Sequence, residues 1–286
     1  MNTGNRLIVE LFNPQRQLLL DAMGSQAPSK YEILVEGWSD LFFFVGNVGQ
    51  NLPRGNARFL PVEEVSDGGG KTFVISQMDR DEKYLGVVDM DHDFQSTSTS
   101  FSEKIGDTSE QCCLFSWVMD KQNKGIPDVT CEFIRYLIRD SRATRAQASI
   151  RERESEFTEF VMETTRAILF RGWAGDLPSR GQSEVAWELI GDLRASVRHL
   201  IPDAYVERFE EFKVQWDCEL EEIGPNDHAL ASGVVLLLIQ IGDKREQEEI
   251  ALRLGRFLAH QIGTREQRKQ AGMELLEKCI TLPGVL

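Results

Sequence analysis

Apolar positions in the first half of the chain fall into short runs, each stopped by polar residues or glycine. Ile33-Leu34-Val35 is one such run and Tyr84-Leu85-Gly86-Val87-Val88 another; Ala57–Val62 and Leu114–Met119 have the same compact form. Runs of this length between turn residues predict buried strands. Helical segments separate them: one beginning near Asp40 with Leu41-Phe42-Phe43-Phe44-Val45, one from Lys71 to about Met78, and one after Pro127, a residue suited to a helix's first turn. Residues 94–110, rich in Ser and Thr, predict a long loop. Strands alternating with helices imply an α/β fold, a Rossmann-like parallel sheet with flanking helices.

From about residue 135 the period changes. Apolar residues recur at spacings of three and four, as in Phe157, Phe160, Val161, Thr164 and Ile168, or Leu252, Leu254, Phe257 and Leu258. These are amphipathic helices, so the second half is expected to be all-α, broken by turns such as Gly224-Pro225. The chain therefore divides into a lead-in (1–29), a sheet-forming unit (30–141) and a helical region (142–286). The most apolar stretch, Val234 to Ile239, is far too short to cross a bilayer and predicts a buried helix.

Composition adds bounds. With 41% hydrophobic and 27% charged residues, 286 residues can bury a full core. The opening residues form no long apolar run, so no signal peptide is expected. The five cysteines lack CxxC pairing or zinc spacing, which fits reduced thiols and a cytoplasmic location. Net charge is −14, densest in residues 1–134, and argues against an autonomous high-affinity nucleic-acid binder. Bound metal or a partner's basic surface would offset it.

The chemistry lies where two of the apolar runs end. Residues 31–40 run into Glu36-Gly37 and on to Asp40; residues 84–93 run into Asp89, Asp91 and Asp93. Open α/β sheets place their sites at strand carboxyl ends. In extended backbone, alternate residues share a face, so the three aspartates point one way. Converging carboxylates repel one another unless a cation neutralises them, and an all-oxygen set suits Mg²⁺ or Mn²⁺.

Other signatures with similar residues fail. An EF-hand needs Gly and Glu at its sixth and twelfth positions, here Phe94 and Ser100. The Asp-x-Asp-x-Thr/Val phosphatase motif meets Asp93 at its fifth position. Ser66-Asp67-Gly68-Gly69-Gly70-Lys71-Thr72 is no P-loop, because Val65 stands where the first glycine belongs. Those glycines predict a connection into a helix, with Lys71 a candidate phosphate contact.

In this order, a strand into Glu36-Gly37, the E-x₃-D spacing to Asp40, and a later strand into Asp89-x-Asp91 resemble the TOPRIM domain over roughly residues 30–135. Within that superfamily the pattern is most similar to OLD-type nucleases. A short TOPRIM unit with a helical tail and no ATPase domain also resembles the separate nuclease subunit of anti-phage systems that pair it with an ABC-type ATPase. The resemblance implies a Mg²⁺-dependent endonuclease acting on DNA or structured RNA such as tRNA. Glu36 would be a metal ligand or general acid/base; Asp40, Asp89 and Asp91 would hold metal, with Asp93 a further ligand. OLD-type enzymes add a later acidic ligand, for which Glu132 is the first candidate and Asp128 the second. The topoisomerase branch needs a tyrosine domain, and Tyr31 and Tyr84 instead begin core strands.

For substrate, Arg135, Arg139, Arg142 and Arg145 open a run of six arginines ending at Arg153, suited to a phosphate backbone. The helical region would dimerise, dock the ATPase or clamp substrate; no membrane contact is expected. Two further readings stay open: a TOPRIM-like scaffold that cuts nothing, and a metal-dependent phosphatase or nucleotidyl transferase.

Overall fold

The computed structural model describes residues 31–49, 57–61, 71–78, 81, 83–90, 105–107, 111–175, 177, 200–243, 245 and 247–279. Four parallel strands form one sheet in the order β2-β1-β3-β4: β1 (Tyr31–Val35), β2 (Ala57–Pro61), β3 (Tyr84–Val88) and β4 (Ile105–Asp107). β1 is central, with Ile33 paired to Phe59 on one side and Leu85 on the other. Register also sets Glu32 opposite Arg58, and the two side chains form an ion pair.

Alternate residues feed two apolar layers. Ile33, Val35, Phe59, Leu85 and Val87 face the main core, while Leu34 and Val88 join Val74 beneath α2 (Lys71–Met78). A parallel sheet covered on both faces needs such near-continuous apolar strands. The main layer is roofed by α1 (Trp38–Asn47), whose Leu41, Phe43 and Phe44 are fully buried.

One expected strand is a helix. Leu114–Met119 belongs to α3 (Leu114–Lys121), and all six residues are buried. A helix buried on every side has no polar stripe, so its sequence cannot be told from a strand's. The fourth strand is instead β4, within the stretch expected to be loop.

Beyond it come α4 (Ile126–Leu137), α5 (Ser141–Glu152) and α6 (Glu154–Ala174); then α7 (Val206–Gln215), α8 (Asp217–Glu222), α9 (Asp227–Gln240), α10 (Gln247–His260) and α11 (Arg265–Cys279). The described part of the second half is thus helical, as its periodicity predicts. No helix among the described residues is long and apolar enough to cross a membrane.

The change of composition near residue 141 is not a break in packing. One continuous core runs from Ile33 to Leu276. Polar staples cross it: Asn47 donates to the Ala259 carbonyl at 2.9 Å, Arg268 donates to Asn47 at 3.1 Å, and the Trp117 indole donates to the Ala271 carbonyl at 3.0 Å. α10 crosses α1 so closely that a Cβ on Gly255 would lie 2.3 Å from Ser39 Oγ. That glycine lets the second half reach the carboxyl end of the sheet.

Candidate functional site

Glu36 and Asp89 each follow the last residue of a strand, β1 and β3, which are neighbours in the sheet. Their adjacency is direct: Glu36 Oε1 accepts the Asp89 backbone N–H at 2.8 Å. Gly37 caps α1 in extended conformation, and Asp40, in that helix's first turn, accepts the Gly37 N–H at 3.1 Å. The E-G-x-x-D spacing therefore turns the chain and anchors Asp40 beside the strand ends. Asp89 Oδ1 accepts the Leu114 N–H at 2.8 Å, at the start of α3. Lys71 Nζ donates to the carbonyls of Asp89 and Met90 at 2.8 and 2.9 Å, clamping the backbone as it leaves β3.

A cavity of about 20 Å³ opens here, lined by Asp40, Asp89, Asp227, Ser39 and Cys113, with Leu254 and Leu258 among its apolar walls. That is space for about one water-sized guest. Asp227 was not foreseen. In sequence, Asn226-Asp227 reads only as a helix start after Gly224-Pro225, and Asn226 does cap α9. Three helix N-termini, those of α1, α3 and α9, thus meet the carboxylates, and their positive ends favour negative charge there.

Cys113 lines the same cavity. Its thiol is pushed well up by the hydrogen bond with Cys112, then by burial, with repulsion from Cys112 and Asp227 adding to both. The thiolate, the form nucleophilic attack needs, is disfavoured there.

The donors fit a hard divalent cation by type, being carboxylate oxygens already oriented by backbone hydrogen bonds. Among the described residues, however, no group of three or more His, Cys, Asp or Glu side chains is disposed to hold a metal ion. Asp91, Asp93 and the glycine loop at 66–70 lie outside the described residues.

Other expected site residues go elsewhere. Glu132 sits on α4, where both its oxygens accept Lys124 Nζ at 2.7 Å, and it lines a second groove together with Arg135 and Arg139. It does not line the cavity of Asp40 and Asp89. Asp128 is exposed and paired with Arg151. Of the arginines, Arg142 is bound to Asp140 and near Asp243, while Arg145 is exposed on α5.

Comparison with protein-family models, curated proteins and solved structures gives no match for this chain.

Proposed function

We propose that the protein is a divalent-metal-dependent nuclease of the TOPRIM type, similar to OLD-type enzymes, and the effector of an anti-phage system held in check by an ABC-type ATPase partner. One observation carries the reading: two adjacent parallel strands end in Glu36 and Asp89, joined by a 2.8 Å hydrogen bond, with Asp40 anchored next to them. This agrees with the E-x₃-D and DxD order of the sequence.

Asp40 and Asp89, with Asp91 following in sequence, would hold Mg²⁺ or Mn²⁺. The metal would supply an activated water and stabilise the leaving oxygen of a phosphodiester. Glu36, bonded to the Asp89 backbone, positions that aspartate and is the group to move a proton or complete the metal shell. Lys71 fixes the same backbone through two carbonyls. Its role in this reading is therefore positional. The lack of a P-loop here leaves ATP hydrolysis to the partner.

The test is cleavage of DNA, tRNA and other structured RNA with and without Mg²⁺, alone and with candidate ATPases, beside Glu36→Ala. Wild type is expected to cut only with metal, and Glu36→Ala to be inactive while keeping its circular dichroism and a cooperative melting transition. Metal-dependent cleavage by the folded variant refutes the role given to Glu36.

The second reading left open by the sequence is a non-catalytic TOPRIM-like scaffold. Under it, Glu36→Ala leaves partner binding and biological function intact, and metal titration shows no millimolar or tighter site.

A further inference from the structure

A groove of about 480 Å³ lies where the end of α4 meets the corner between α10 and α11. Lys124, Glu132, Arg135, Tyr136, Arg139 and Gln261 contribute to its walls. Its electrostatics are unusual for this chain. Carboxylates outnumber Lys and Arg by 46 to 32, and Arg142, Arg151, Arg153 and Arg166 are all ion-paired. Arg135 and Arg139 are exposed and make no ion pair or hydrogen bond among the described residues. Glu132, one turn before Arg135, is taken by Lys124 through both oxygens. That bond leaves two guanidinium groups to face solvent side by side on one concave surface.

The floor is rigid. Tyr136 packs against Phe133 with ring centroids 6.2 Å apart and against Phe257 at 5.8 Å. Both neighbours are buried in the core. With its ring so engaged, Tyr136 suits a wall better than a stacking platform. The groove accordingly offers cationic donors and little for a base.

α3 links this groove to the carboxylate cavity. Its N-terminal Cys113 and Leu114 line the cavity, and Lys124 follows its C-terminal end to line the groove.

We propose that this groove grips the phosphodiester backbone of the strand being cut, through Arg135 and Arg139 and without reading base identity. The inference rests on the nuclease reading for its ligand. Guanidinium groups match phosphate oxygens in bidentate geometry, and such contacts add affinity that is independent of sequence.

The test measures binding apart from cleavage. Fluorescence anisotropy of labelled single-stranded DNA and RNA oligonucleotides is followed in EDTA with the full chain, Arg135→Glu, Arg139→Glu, the double variant and Lys269→Glu. Lys269 lies on α11 outside the groove and controls for net charge. The double variant is expected to bind about tenfold more weakly or worse, and to lower the slope of log K against log salt by about 1.4. Lys269→Glu should bind as wild type does. Groove variants that fold and bind like wild type overturn the proposal while leaving the cleavage test untouched. A wild type that binds neither oligonucleotide overturns it as well. If the variants lose ATP binding but keep the oligonucleotides, the groove is a mononucleotide site and the strand proposal fails.

Discussion

Asp89 has two separable duties, and two substitutions tell them apart. Its Oδ1 accepts the Leu114 N–H at 2.8 Å, and Leu114 is 4% exposed, so loss of the acceptor leaves an N–H at the start of α3 dry. Asp89→Ala removes both acceptor and charge. Asp89→Asn removes the charge and keeps an amide oxygen in nearly the same place. Relief of repulsion from Asp40 and Glu36 is common to both, so the difference between them isolates the hydrogen bond. An unsatisfied buried donor costs about 1–3 kcal/mol, and loss of a capping acceptor about 1 kcal/mol. We expect Asp89→Ala to be less stable than Asp89→Asn by about 1–2 kcal/mol. For a protein of this size that lowers Tm by roughly 2–8 °C. Paired urea and thermal denaturation followed by circular dichroism measure it. Both variants should lose metal-dependent cleavage. Equal stabilities refute the anchoring of α3 by Asp89, and an Asp89→Asn enzyme that still cuts refutes the need for its charge.

Two other outcomes follow from the packing and charge. Gly255→Val forces a side chain into Ser39, where even a Cβ would lie 2.3 Å from Oγ; overpacking of this kind costs about 1–3 kcal/mol, and a variant as stable as wild type in urea refutes the close approach of α10 to α1. His260 is held below its ordinary value by burial first and then by Arg268 and Arg256, so the unfolded chain takes up that proton before the folded one does. Stability is therefore expected to fall as pH drops from about 6.5 toward the lower folded-state value, and His260→Gln should flatten that part of the melting curve; an unchanged pH profile refutes the assignment.

Much of the α/β half was legible. β3 spans the five residues its apolar run predicts, α2 runs from Lys71 to Met78 as expected, and β1 and β2 differ from expectation only at their ends. Strong local patterns survive because β1 and β3 feed apolar residues to both faces of the sheet and need continuous apolar character. Leu114–Met119 failed for the same reason: full burial erases the polar stripe that marks a helix. β4 has three residues inside a Ser- and Thr-rich stretch, too few for a periodic signal.

The site divides along the same line. Local spacing alone brought Glu36, Gly37 and Asp40 together, because a strand end, a turn and a helix's first turn are set within five residues. The strand pattern likewise put Asp89 at the carboxyl end of a sheet strand. What sequence did not determine is which distant groups join them. Asp227 reaches the cavity of Asp40 and Asp89 because the start of α9 packs there, whereas Glu132 on α4 pairs with Lys124 and lines the separate groove. Packing sorts the arginine run, uniform in sequence, into ion-paired Arg142, Arg151 and Arg153, groove-lining Arg135 and Arg139, and Arg145, exposed on α5. Chain-local chemistry fixes what a residue offers, and the long-range contacts of a single continuous core decide what it meets.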